Sequence, residues 1–215
     1  MLLANATAIG LGAALYIGLS VTSLVAQAPS ATGYGLSLPL FWAGFVMFPL
    51  SLGSFVANRV VRRISHRVPL AMLLPVGASL MAAAGLLLWL AHSQIWEMLV
   101  GMLVFGLGMG ASYAAMPALI ARSVAAAELG SSVSFNQVLR TVGSSFGTAI
   151  AAAIMATSAL ADGRASAAGI NRTFELGAVV CLVVCAALLS RPLAAKFRKN
   201  SADSAKRLGI DQELS

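Results

Sequence analysis

The stretch MLLANATAIGLGAALYIGLSVTSLVAQAPSATGYGLSLPLFWAGFVMFPLSLGSFVAN (residues 1–58) decides the fold, because it contains no charged side chain. The first charge in the chain is Arg59. A helix that crosses the hydrocarbon core of a bilayer needs about 20 consecutive, mostly apolar residues. The stretch is long enough for two such helices, and the uncharged segment APSATGYG (residues 28–35) divides it. The sequence therefore predicts two membrane-spanning helices before the first charge.

Four further charge-free runs follow: Val68–Ala91, Met98–Ala121, Thr141–Ala161 and Leu176–Ser190. Of the 215 residues, 59% are hydrophobic and only 10% are charged, whereas an average globular domain carries about a quarter charged residues. The predicted spans are 4–27, 36–60, 69–91, 96–121, 132–160 and 170–190. Short loops join them, so we predict an all-α integral membrane protein. It consists of a six-transmembrane-helix bundle over residues 1–190 and a basic cytoplasmic tail over residues 191–215.

The distribution of positive charge predicts the orientation of this bundle. Of the 14 Lys and Arg residues, eleven fall on one side of the membrane if the spans alternate, two fall on the other, and Arg140 lies inside span five. Because cytoplasmic loops carry the excess of Lys and Arg, both termini are expected in the cytoplasm. These cations lie at membrane edges without interleaved aromatic residues, which favours a lipid bilayer over nucleic acid as the partner. The loop after span two holds Arg59, Arg62, Arg63 and Arg67.

Acidic residues avoid the predicted middle of the membrane. Glu97 and Glu175 lie at the outer ends of spans four and six, and Glu128 lies in the loop before span five. A proton-coupled carrier normally needs a buried titratable group, so the chain alone lacks an evident proton carrier. It also lacks a nucleophile–base pair, a metal-ligand cluster and a phosphate-binding loop at plausible spacing. We therefore expect no enzymatic activity, no cofactor and no metal site.

Span one carries polar and small residues on one helical face. Polar groups that face lipid are costly, so this stripe is expected to face other protein or a water-filled cavity. A packing seam would explain its small residues, whereas cavity lining better explains its tyrosine and glutamine. The stripe consists of Asn5, Gly12, Tyr16, Ser20, Ser23 and Gln27.

Span five has a sharper pattern, with a polar cytoplasmic half and an outer half smooth enough to receive another helix. Its patterned face consists of Asn136, Arg140, Gly143, Gly147 and Ala151. Arg140 lies about eight residues into the predicted span, or about 12 Å deep at 1.5 Å per residue. Such a cation either snorkels to the cytoplasmic interface or contacts helix-end carbonyls, the Glu128 carboxylate or an anionic substrate group.

Span four is rich in glycine. Gly106 and Gly110 form a GxxxG pair, and Gly108 with Ser112 forms a second pair of small residues on a neighbouring face. Small residues at this spacing let helix backbones approach closely in lipid. The pattern is explained either by tight static packing or by a helix that bends and slides during a conformational cycle.

Four stretches carry a resemblance to a known family. They are QAPSATGYGLSLPLFWAGFVMFP (27–49), GSFVANRVVRRISHR (53–67), GLGMGASYAAMPALI (106–120) and ELGSSVSFNQVLRTVGSSFGTAIAAA (128–153). Together with six spans and cytoplasmic termini, they resemble the C-terminal half of a major facilitator superfamily transporter, most closely the fourteen-helix drug–proton antiporter branch. The similarity covers about residues 5–190.

The resemblance implies that spans one and four line a central substrate cavity, with spans two and five beside them. Carried over by position, the candidate cavity residues are Tyr16, Ser20, Ser23, Gln27, Trp42, Met109, Tyr113, Asn136 and Arg140. The candidate gate and conformational residues are Glu128, Arg140, Gly106, Gly108, Gly110, Gly143 and Gly147. Aromatic and Met side chains suit large apolar cations, so apolar cationic drugs are the implied substrate class.

The activity implied is multidrug efflux across the plasma membrane by alternating access with proton antiport. Protons would then act through a partner, either an N-terminal transporter half or a second copy. Two departures keep an alternative open. Asn58, Arg62, Arg63 and Ser65 stand where the family's loop has Gly, Asp, Arg and Gly, and only six of its twelve or fourteen spans are present. The alternative is a truncated or half-size six-span membrane protein, which is inactive alone or acts as a subunit or homodimer.

A membrane-impermeant thiol reagent added outside intact cells is expected to leave the loop around His66 unmodified, because its positive charges keep this loop in the cytoplasm. The measurement uses Ser65→Cys in a background in which Cys181 and Cys185 are replaced by alanine. The same cysteine should react once the cells are permeabilised. Labelling in intact cells would reverse the proposed orientation.

Overall fold

The computed structural model describes residues 2–65, 70–121, 124–160 and 164–207. Arg67 and the end of the predicted tail, residues 208–215, lie outside these ranges. The described chain forms six long helices: α1 (Leu2–Gln27), α2 (Leu40–Ile64), α3 (Leu70–Leu90), α4 (Ile95–Ala121), α5 (Leu129–Thr157) and α6 (Ala167–Arg207). All six contain a segment long and apolar enough to cross a membrane. The prediction of an all-α bundle with six membrane-spanning helices is confirmed.

The second helix begins four residues later than predicted. Pro39 is its N-cap residue, and the three residues before it pair with the end of α1. The backbone N–H groups of Leu36 and Leu38 donate to the carbonyls of Val25 and Ala26, at 3.0 and 2.9 Å. Residues 36–39 therefore satisfy their backbone outside a helix, which the uniform lack of charge in this region does not reveal.

The fifth and sixth helices also differ from the predicted spans at their ends. The fifth begins at Leu129 instead of residue 132 and ends at Thr157 instead of residue 160. The apolar segment of α6 runs from Ala167 to Ser190, and the helical backbone continues to Arg207. Helix formation requires backbone hydrogen bonds and good helix formers rather than apolar side chains, so the helix outlasts its apolar segment.

The helices pack in a connected set of pairs. α1 packs on α5 and α6, α4 packs on α2 and α3, and α3 also packs on α6. We call α1 and α4 the central helices. Of the helices at the edge of the bundle, α5 packs on α1, and α2 packs on α4. The core between the helices is filled by methionine and aliphatic side chains. Met81, Met98 and Met116 are almost fully buried there.

Direct contact between backbones defines the α1–α5 interface. A Cβ atom at Gly143 would collide with the carbonyl of Ile9, and one at Gly12 would collide with the carbonyl of Arg140. Gly147 meets the α1 backbone in the same way one turn further along. The smooth outer half predicted for span five therefore does receive a helix, and that helix is α1.

A second glycine seam joins α2 to α4. Cβ atoms at Gly106 and Gly110 would collide with the backbone of Leu50 and Ser54, and one at Gly53 would collide with α4. On a neighbouring face of α4, Gly108 packs in the same way against Gly77 of α3. Close packing accounts for these glycines, and their role in a conformational cycle stays a prediction.

Replacing Gly143 by alanine should destabilise the bundle by about 1–3 kcal/mol, because the added methyl overpacks a contact between two backbones. Thermal or denaturant unfolding in detergent measures the change. Gly44→Ala in α2 is the matched control, since a Cβ atom there meets nothing within 4 Å. Equal stability of the two variants would contradict the proposed seam.

Candidate functional site

A groove of about 600 Å³ runs along α5, between this helix, α1 and α4. Leu15 and Tyr16 contribute the α1 side, and Tyr113 contributes the α4 side. The α5 wall extends from Gln137 to Ala152, which is about 22 Å at 1.5 Å per residue. The groove therefore follows the axis of α5 over about half of the length of this helix.

The α5 helix presents three different faces. Its buried face, which includes Gly143 and Gly147, packs on α1. Its groove face is rich in hydroxyl and amide groups. Its third face is apolar and exposed, with Phe146 62% exposed. Such an arrangement follows from residue spacing, because a helix turns 100° per residue and three stripes can share one segment.

Arg140 lies toward the N-terminal end of the α5 wall, one turn from Gln137. It is eleven residues from the start of α5 at Leu129, about 16 Å along the helix axis. The side chain is half-buried, and its guanidinium carbon lies 3.9 Å from the centre of the Tyr113 ring. A guanidinium over an aromatic face is stabilised by the ring quadrupole, more strongly when both groups are withdrawn from water. Tyr113 therefore offsets part of the cost of this cation.

The Glu128 carboxylate is not the partner of Arg140. Glu128 is exposed in a short 3₁₀ helix, Ala126–Glu128, that immediately precedes α5. Twelve residues of mostly helical chain separate it from Arg140, or about 18 Å. The combined reach of the two side chains is shorter than this distance. The contact between them that sequence analysis kept open is absent, and the aromatic contact takes its place.

The hydroxyl groups of the groove wall are bonded to their own helix. The side chain of Thr141 donates to the Gln137 carbonyl at 3.1 Å, and that of Ser144 donates to the Arg140 carbonyl at 2.9 Å. Ser145 and Thr148 repeat the pattern one turn further on. Since these protons are engaged within the helix, the hydroxyls present mainly oxygen lone pairs to the groove.

Three of the predicted cavity residues meet in this groove: Tyr16, Tyr113 and Arg140. Three others, Ser20, Ser23 and Gln27, line a separate depression at the far end of α1, beside Tyr34 and Arg164. There the Gln27 amide donates to the hydroxyl of Ser23 at 3.2 Å. The polar stripe of span one is therefore divided between two concave sites.

The remaining candidates lie away from the groove. Asn136 is buried between helices, and its amide donates to the side-chain oxygen of Asn5 at 3.3 Å. Trp42 belongs to an exposed aromatic row on α2 with Phe41 and Phe45. Met109 faces a pocket between α2 and α4.

That pocket carries two cations of the predicted cytoplasmic loop, Arg59 and Arg62, on the last two turns of α2. The Arg62 side chain donates to the Asn58 side-chain oxygen at 3.0 Å. Arg63 lies beside them and is exposed. The asparagine at the position where the related loop has glycine thus holds a loop cation in place.

Sequence analysis missed most of the groove wall. The missed residues are Gln137, Thr141, Ser144, Ser145 and Thr148. Their spacing of four, three, one and three already marks one helical face. This face was not predicted as a site because serine and threonine are also common on packed membrane helices, where they bond to their own backbone.

The fold and the groove define a multi-pass helical membrane protein with a polar site inside an apolar bundle. Residues 2–148 match the Major Facilitator Superfamily, and the chain belongs to this family of transporters. The match runs from α1 through two thirds of α5 and includes every side chain that meets Arg140 in the groove. A search for similar curated proteins returned no match. The expectation of a transporter, and not an enzyme, agrees with the family.

Cysteine accessibility tests whether the groove holds water. In a background without native cysteines, Ser145→Cys should react with a water-soluble thiol reagent at least about tenfold faster than Phe146→Cys, because only hydrated thiols ionise readily. The two positions are adjacent and lie at the same depth, but on the groove face and the apolar face respectively. Equal rates, measured in reconstituted membranes, would show that the groove is dry.

Proposed function

We propose that this chain is the C-terminal six-helix half of a small-molecule exporter of the fourteen-span drug–proton antiporter type. It lies in the plasma membrane with both termini in the cytoplasm and works by alternating access. One observation carries the proposal: a polar groove that includes the cation Arg140 runs along α5, in a chain whose six long helices are each apolar enough to span a membrane. An ionisable residue inside a membrane-spanning helix indicates a functional site, because burying a charge in the membrane costs free energy and such residues are rare outside functional sites.

The dimensions of the groove suit a small-molecule substrate. Ligand sites commonly have volumes of about 300–1,000 Å³ and combine apolar surface with a few polar groups. The groove has a volume of about 600 Å³, with Tyr16 and Leu15 opposite the hydroxyl wall. A drug-sized molecule therefore fits along α5.

The proposal requires a second bundle. Only 17% of the apolar window of α5 is buried within the chain, the lowest share among the six spans. The groove face of α5 is polar, and exposing such a face to the lipid hydrocarbon costs free energy. A second six-helix bundle that covers it would enclose the groove and create the two alternating openings.

Proton coupling would come from that second bundle. The described residues that line the groove include no Asp or Glu. The nearest acidic residue before α5 in the sequence, Glu128, lies about 18 Å from Arg140 along the helix axis. The partner half therefore supplies the titratable carboxylate, and this half supplies the groove wall and its cation.

The glycine seams provide the surfaces for movement. Gly143 and Gly147 on α5, and Gly106 and Gly110 on α4, give interfaces without interlocking side chains, on which helices slide with little repacking. Arg140 and Glu128 act as elements of the cytoplasmic gate at different depths.

A second reading is a half-size transporter in which two copies supply both bundles. The observation that favours it is that α2 and α5 are the two least buried spans, with 28% and 17% of their apolar segments buried within the chain. Two copies joined along these helices would bury the exposed surfaces. A stable dimer in detergent supports this reading, and a monomer supports the need for an N-terminal half.

Substrate efflux from cells tests the function. The chain alone should give no pH-dependent efflux, because its groove has no carboxylate to carry a proton. The same chain joined to an N-terminal half should export substrate in a proton-dependent manner.

Gly147→Leu in the joined protein is the negative control, since its side chain would collide with α1 and separate the helices. Proton-driven efflux by the six-span chain alone would refute the proposal that the partner half supplies the titratable carboxylate. An inactive joined protein that is folded and correctly inserted would refute the proposed function.

A further inference from the structure

The groove has a charge that sets the chemistry of its ligand. Among the described residues that line it, Arg140 is the only charged one. The nearest lining groups are aromatic, hydroxyl or amide, so no neighbour in the groove neutralises the guanidinium. A cation held at this depth without a carboxylate favours negative charge in the space before it.

The Arg140 side chain lines the groove beside Tyr113 and is its one charged hydrogen-bond donor among the described residues. Tyr113 covers one face of the guanidinium, with 3.9 Å between the guanidinium carbon and the ring centre. The donors of a guanidinium lie in its plane and match the two oxygens of a carboxylate. A contact with one tyrosine cannot engage all five N–H groups, so donors remain for a ligand. The contact also restrains the side chain, so that less conformational freedom is lost when a ligand binds.

The serine and threonine hydroxyls of the wall beside Arg140 are engaged as donors within α5. The hydroxyls of Ser144, Ser145 and Thr148 have donated their protons to helix carbonyls and present lone pairs. These lone pairs do not attract an anion, but they accept hydrogen bonds from hydroxyl or amide groups of a ligand body. Arg140 is the only cation among the described lining residues, so it provides the main attraction for a negative group, while the Gln137 amide and the tyrosine hydroxyls are neutral donors.

We propose that the groove binds an organic anion, with a carboxylate or similar oxyanion on the Arg140 guanidinium and an aromatic or aliphatic body beside Tyr16 and the hydroxyl wall. This inference rests on the proposed function and names the substrate class of the same site. It opposes the apolar cationic drugs that the family resemblance implies, because a cation in the groove would be repelled by Arg140.

The test compares three probes with the same ring: 1-naphthylacetate, its neutral primary amide, and 1-naphthylethylammonium. Their affinities are measured by equilibrium dialysis against the full chain in phosphatidylcholine nanodiscs, whose headgroups carry no net charge. The carboxylate should bind about tenfold or more tighter than the amide, as expected for a charge-assisted hydrogen bond, and the ammonium should bind most weakly. Equal or tighter binding of the ammonium overturns the proposal.

Variants assign the preference to its residue. Arg140→Gln should lower carboxylate affinity about tenfold or more and change amide affinity by less than about twofold, so that amide binding reports an intact groove. Arg140→Lys keeps the charge without the planar fork and should lose part of the preference. A control outside the groove should keep all of it: Arg59→Gln, which removes one cation at the end of α2. A preference that survives Arg140→Gln overturns the proposal.

A final arm separates a ligand anion from a protein carboxylate. The same dialysis is repeated on the chain joined to an N-terminal half. A retained preference for the carboxylate supports the proposal, and its loss shows that a partner side chain occupies Arg140 and overturns it. Because dialysis measures binding without transport, an inactive exporter that still prefers the carboxylate refutes only the function. An active exporter without the preference refutes only the substrate class.

Discussion

Contact between the backbones of α1 and α5 is the interaction on which the site depends. Lipid chains are as apolar as leucine, so helices in a membrane associate through close packing and not through a hydrophobic driving force between them. The α5 backbone at Arg140 packs directly on Gly12, and the α1 backbone packs directly on Gly143 and Gly147. This contact sets the rotation of α5 about its own axis. Consequently it also sets which side chains of α5 enter the groove.

Once that rotation is set, α5 has three surroundings along one segment. Its glycines face α1 and its hydroxyls face the groove. Its third face, which includes Phe146, is apolar and exposed. The cost of Arg140 at mid-depth is met by Tyr113 of α4 rather than by an acid. Among the described residues that line the groove there is no acid, so the charge has no counter-ion there, which is unfavourable for a purely structural residue and suitable for a binding one. The aromatic contact thus links packing to function.

The arrangement suggests how a facilitator-type transporter divides its work between two bundles. In the proposed function, this bundle contributes a rigid wall and a fixed positive charge, while the partner contributes a group whose charge changes with protonation. Separating the two avoids a permanent ion pair inside one bundle, which would hold the site in a single state. The glycine seams at α1–α5 and α2–α4 lie on both sides of the central helices and provide two smooth interfaces.

The sequence by itself determined the membrane fold, the number of spans and the patterned face of the fifth helix. These follow from segment length, from the near absence of charge and from the helical period, all of which are local properties. It also placed Tyr16 and Arg140 among the candidate site residues, because polar groups inside spans are conspicuous, and the family resemblance added Tyr113. The tertiary structure alone decided that α1 covers the glycine face of α5. That contact turned the hydroxyls into the groove and brought Tyr113 over Arg140 while leaving Glu128 out of reach. The physical reason is that spacing dictates which residues share a face, whereas the neighbouring helix decides which face is covered.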